Sequence, residues 1–137
     1  VSVWREVQEA LYGRWADQWA DRTPYKFENE SLDPPDAPWA WLRIVSAPGQ
    51  QGSLGPPGAR RWDRVGRLFV LLREPPGNGV GSLSDLAEQA RPIFEGVRLD
   101  PHDVRVGVLD IGGEAQVDEG RWWGVTLSGR FDYEERR

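Results

Sequence analysis

Along "WWGVTLSGRFDY", residues 122–133, the chain changes character at almost every step. Trp123, Val125, Leu127, Phe131 and Tyr133 share one parity, and Trp122, Thr126, Ser128, Arg130 and Asp132 share the other. A strand turns successive side chains to opposite faces, so this pattern demands a sheet with one buried face and one face that is wet or joined to another chain. Something else in the chain must cover the buried face. Residues 3–22 provide it: Trp4, Val7, Leu11, Trp15 and Trp19 recur at steps of three and four, with Arg5, Glu6, Glu9, Arg14, Asp17 and Asp21 mostly opposite. The spacing predicts an amphipathic helix with Ser2 as N-cap and Thr23-Pro24 as its stop. Its tryptophan stripe reads as a packing face rather than a ligand platform.

Between these ends, "YKFENE" reads as a short strand, and "WAWLRIVSA", apolar at both parities, as a central strand covered on both faces. "RVGRLFVLLRE" is a further strand. "PPGNGVGS" then turns into a second helix over 83–97, with Leu86, Ala90, Phe94 and Val97 on one face and Ser82 with Asp85 as a capping arrangement. Pro92 predicts a bend or an early end. "VRVGVLDI" reads as a strand with Val104, Val106 and Val108 on one face, and "GGEAQVDEG" as a polar turn. The fold class expected is therefore α+β. Residues 1–137 form a single domain, a mostly antiparallel sheet of about five strands with two helices packed on it, in the order α-β-β-β-α-β-β.

Few chemistries fit the composition. The chain has no cysteine and one histidine, His102, so a thiolate or imidazole metal site is not expected. His102 lies in "LDPHDV", which is ordinary turn chemistry. "GNGVGS" sits where a phosphate-binding loop would, but Gly77, Gly79 and Ser82 complete neither the dinucleotide nor the nucleotide-triphosphate pattern. The acidic pairs Glu28/Glu30, Asp118/Glu119 and Glu134/Glu135 read as solvated charge rather than general acid and base, and there is no nucleophile elbow. No cofactor, no metal and no enzymatic activity are expected. The net charge is −5, which argues against sequence-specific nucleic-acid binding. No apolar run approaches the roughly 18 residues of a membrane span, and "VSVWREVQEA" lacks the form of a secretion signal, so a soluble chain made in the cytoplasm is expected. Trp39, Trp41, Trp62, Trp122 and Trp123 leave open a second class, a carbohydrate- or ligand-binding module that stacks rings on sugars.

The remaining feature is "SAPGQQGSLGPPGARRW", where Gly49, Gly52, Gly55 and Gly58 fall three apart among Pro48, Pro56 and Pro57. An unstructured stretch of this length in a small domain is usually functional or disordered. Residues 47–61 are read as a flexible arm that orders on a partner. Gly49, Gln50, Gln51, Ser53, Leu54, Arg60, Arg61 and Trp62 are its candidate contacts, while Trp122, Thr126, Ser128 and Arg130 are candidates for a subunit seam.

The order of an N-terminal helix, "PYKFENE", "WLRIVSA", a Gly-rich arm, "RVGRLFVLLREPPGNGVGSLSDLAEQARPIF", "VRVGVLDI" and "WWGVTLSGRFDYEE" resembles the tail-terminator-like proteins of long-tailed bacteriophages and gene transfer agents. The resemblance spans nearly the whole chain. It rests on Glu28-Asn29, Arg64-x-Gly66, the Gly-x-Gly step into "LSDLAEQARPIF" and the aromatic last strand, none of them catalytic. It implies a structural subunit that closes into a ring, typically a hexamer, on the end of the tail tube, stops polymerisation and offers a docking surface to the head. The implied partners are further copies of the chain, the tail tube protein and a head-completion protein, with DNA passing through the ring. The implied location is the tail-neck junction of the virion, after assembly in the host cytoplasm. Another neck or tail-completion ring is the related alternative.

Overall fold

The computed structural model describes residues 2–33, 35–53, 55–58, 60–117 and 119–137, and the backbone alone at 50 and 114–116. Helix α1 spans Val3–Trp19, and the Ser2 hydroxyl accepts from the Arg5 N–H at 3.1 Å as its cap. Strand β1 is Tyr25–Lys26, β2 Trp39–Gln51 and β3 Arg61–Glu74; helix α2 is Gly81–Phe94; β4 is Arg98–Leu99, β5 Val104–Val117 and β6 Trp122–Arg136. The strands form one six-stranded sheet in the order β1-β2-β3-β6-β5-β4. Every pairing is antiparallel except β1 with β2, which makes the sheet mixed; β4 is a short strand beyond the five expected. Among the described residues no helix is long and apolar enough to cross a membrane.

Both helices lie on one face. Val7, Leu11, Trp15 and Trp19 of α1 and Leu83, Ala87, Ala90, Ile93 and Phe94 of α2 share a single core with inward residues of β2, β3, β5 and β6. Trp15 is the hinge of this layer, stacked on Trp19 at 4.6 Å and on Phe94 at 6.2 Å. The end of α1 is fixed by Thr23, whose buried hydroxyl accepts from the Trp19 indole N–H at 3.0 Å and donates to the Pro24 carbonyl. On the sheet side, Gly66 makes room for the far edge of the Phe131 ring: a Cβ there would collide with it.

Several local readings change. Helix α2 begins two residues earlier than expected and ends at Phe94, two residues after Pro92; its buried face centres on Leu83, Ala87 and Ala90, with Leu86 only partly buried. Ser82 is not a cap, because its hydroxyl donates instead to the buried Glu74 carboxylate at 2.6 Å, tying the end of β3 to the start of α2. In β5 the alternation breaks between Val106 and Leu109. This irregularity leaves Val108 71% exposed and gives its core position to Leu109. "GGEAQV" continues β5, so the polar turn shrinks to the residues just before Trp122.

Candidate functional site

The face of the sheet away from the helices is the first candidate. Register places Trp39, Trp41, Arg43 and Val45 of β2 beside Arg73, Leu71, Phe69 and Arg67 of β3, and these beside Gly124, Thr126, Ser128 and Arg130 of β6. No described helix covers this surface, so "WAWLRIVSA" is not sandwiched between two layers as expected. Its outward tryptophans are covered by other side chains: Trp39 is 7% exposed because Trp122 meets it edge-on at 5.7 Å, and Lys26 lies over Trp41 at 4.4 Å. An ammonium group over an indole face is held there by the negative potential of the ring.

Of the four expected seam residues, all share this open face, but they are not equivalent. Trp122 is 6% exposed and engaged by Trp39, Thr126 and Ser128 are half-buried, and Arg130 is exposed. Directly opposite Arg130 stands Arg67, also exposed. Sequence reasoning missed Arg67 and Phe69, because the runs around them look apolar at both parities. The signal was present. Arg43, Arg67 and Arg73 interrupt those runs at one parity, and a charge inside an apolar strand marks the side that faces water.

Elsewhere on this face two arginines are paired, and Asp110, opposite Ser128, is exposed with no ion pair among the described residues. Arg43 pairs with Glu28 at 2.9 Å and Arg105 with Asp132 at 2.7 Å. Pro48, Gly49, Asp63, Val65, Arg105, Arg130 and Asp132 border an open polar cleft of about 290 Å³ where the face runs into the hairpin of β2 and β3.

That hairpin is the second candidate. The buried core ends at Ile44 on β2 and Gly66 on β3, yet the strands pair on to Gln51 and Trp62, so residues 47–51 and 61 of the expected arm are sheet that runs past the core. A bulge lies between Ala47 and Gln50, and Gly49 permits the close approach, since a Cβ there would collide with the Asp63 carbonyl. The expected contacts are held largely within the hairpin. Ser53 accepts from the Arg61 N–H at 2.8 Å, Arg61 donates to the Gly52 carbonyl at 2.9 Å, and Arg60 donates to the Gly55 carbonyl at 2.6 Å. Gln51 donates to the Ser53 carbonyl at 2.8 Å, and half-buried Trp62 carries the guanidinium groups of Arg64 and Arg137 at 5.4 and 5.6 Å. Leu54 and the side chain of Gln50 lie outside the described residues. The three-residue glycine spacing has no common cause: Gly49 serves the bulge, while Gly58 takes a φ of 91° in the turn.

The other sequence motifs are scattered. His102 sits 3.5 Å from Glu6 beneath the end of β6, the "GNGVGS" turn borders a cleft of about 170 Å³ with Trp123, and Asp118 lies outside the described residues.

Known proteins resemble this chain in fold and in family. One solved structure, of a protein with no descriptive name, superposes with a TM-score of 0.77 at 20% identity over 100% of this chain and 99% of its own. A chain from the virion of a native gene transfer agent particle gives a TM-score of 0.55 at 13% identity, over 94% of this chain and 95% of its own. At such identities these likenesses concern the fold. No curated protein matches the sequence. The sequence profile described as phage tail terminator protein matches residues 6–131, nearly the whole chain, and the protein belongs to the phage tail terminator family.

Proposed function

We propose that this protein is a virion assembly subunit that closes into a ring, with six copies the expected number, on the end of the phage tail tube. The ring stops tube polymerisation and presents a docking surface to the head or neck. Its partners are then other copies of itself, the tail tube protein and a head-completion protein, and it acts at the tail-neck junction after assembly in the host cytoplasm. The observation that carries this reading is the family match over residues 6–131, joined to a sheet that leaves one whole face without a covering layer. A monomer with that face open has a natural place for neighbours. The β2–β3 hairpin runs past the last buried core residues, which suits contact with a partner outside the domain. The ligand-binding alternative is less well supported, because Trp39, Trp122 and Trp41 are already engaged by one another and by Lys26.

The test is the native mass in solution by light scattering across a concentration series, repeated with purified tail tubes. A closed oligomer near six subunits, or assembly confined to tube ends, is expected. A strict monomer indifferent to tubes would overturn the reading.

A further inference from the structure

Arg67 and Arg130 face each other across β3 and β6 on the open face. Both are exposed, and neither forms an ion pair among the described residues; Arg67 has only the Phe69 ring, at 5.8 Å. Like charges placed directly opposite destabilise a sheet. The other arginines nearby avoid that penalty, Arg43 through Glu28 and Arg105 through Asp132.

The same chain carries an unmatched negative counterpart. Between β1 and β2, "ENESLDPPD" holds Glu28, Glu30, Asp33 and Asp36 with no basic residue. Glu28 is taken by Arg43, while Glu30, Asp33 and Asp36 are exposed, and Asp33 and Asp36 form no ion pair among the described residues. This loop lies at the β1 edge, and two strands separate β1 from β6. At ordinary strand spacing that is about 14 Å, too far for the loop to neutralise Arg130 in its own copy.

We propose that the acidic loop of a second copy of this chain seats on the open face, its Asp33 and Asp36 neutralising Arg67 and Arg130. The proposal rests on the ring reading and names its seam. Charge also decides the symmetry of the contact. Two open faces meeting about a two-fold axis would crowd four arginines together, whereas loop against face joins unlike surfaces. Contacts of unlike surfaces repeat by rotation and close into a ring when that rotation divides the circle evenly.

Charge reversal tests it, with self-association and binding to tail tubes measured by light scattering and sedimentation. R67E/R130E alone and D33R/D36R alone are each expected to weaken assembly by at least about tenfold. The chain carrying all four changes is expected to recover it, as is an equal mixture of the two double variants. Circular dichroism checks that each variant is folded. Normal assembly by either double variant, or no recovery in the four-fold variant, would overturn the seam while leaving the ring reading intact. A wild-type chain that never assembles would overturn both. Anisotropy with a short DNA duplex separates the remaining occupant: duplex binding lost in R67E/R130E with assembly unchanged would assign the arginine pair to phosphates and overturn the proposal.

Discussion

Aromatic side chains gather on both sides of the sheet and end up with opposite properties. On the inner face Trp15, Trp19, Phe94 and Phe131 are fully buried between helices and strands. On the outer face Trp39, Trp41, Phe69 and Trp122 lie among Lys26, Arg43 and Arg67, covered by side chains and by no second layer. The difference teaches that aromatic content marks surfaces needing cover but not what covers them. Parity with charged neighbours carries that information.

Substitutions can break this contrast, and the largest effect belongs to the inner face. Trp15→Ala removes the ring that joins both helices and is expected to destabilise by about 3–5 kcal/mol in urea unfolding; an outer-face cost as large for Trp41→Ala would erase the contrast. Gly66→Ala forces a methyl against the Phe131 ring and is expected to cost about 1–3 kcal/mol. Trp123→Ala tests the inner face where it thins out, since Trp123 is only partly buried beside the 77–80 turn. A loss of about 1–2 kcal/mol is expected there by the same assay.

The outer face predicts a change of opposite sign. Arg67→Glu replaces a like-charged cross-strand pair by an opposite one, so the isolated subunit is expected to gain about 0.2–1 kcal/mol, less at high salt. A subunit that becomes more stable while assembling less well would separate folding from function on one residue. The smallest effect is alkaline. Burial, with Glu28 and Glu30 nearby, raises the Tyr12 hydroxyl above its ordinary value of 10.0, and burial with Glu135 nearby raises that of Tyr133. Each phenol ionises more readily in the unfolded chain. Their stabilisation is therefore complete below pH 10.0 and disappears as pH rises through the folded values. Unfolding midpoints measured from pH 8 to 11.5 are expected to fall at the alkaline end, and Tyr12→Phe is expected to flatten that fall.

Much of this was legible in the chain itself. Helix α1, its Ser2 cap and its buried stripe follow from spacing, because a helix packed on a sheet needs one apolar face and shows it at a period of 3.6. The inward set on β6 follows from a period of two, and Gly129 keeps that period across the gap between Leu127 and Phe131. The α+β class and the family likeness rest on these same regularities.

Other features depended on which strand lay beside which. Nothing local distinguishes Val108 from Val106: the β5 irregularity arises from matching β6, and it alone sends Val108 outward. Residues 47–51 and 61 fall within the expected arm because glycine and proline weaken local strand propensity. Pairing of β2 with β3, and of Arg61 with Arg136 at the end of β6, supplies hydrogen bonds from residues far away in sequence. The Arg67–Arg130 pair is of the same kind, two unremarkable arginines until the register sets them opposite each other. Sequence determined the periodicities, since those reflect each element's own geometry; register, coverage and the unmatched charges were decided only by tertiary structure, because each is a relation between segments that no single segment encodes.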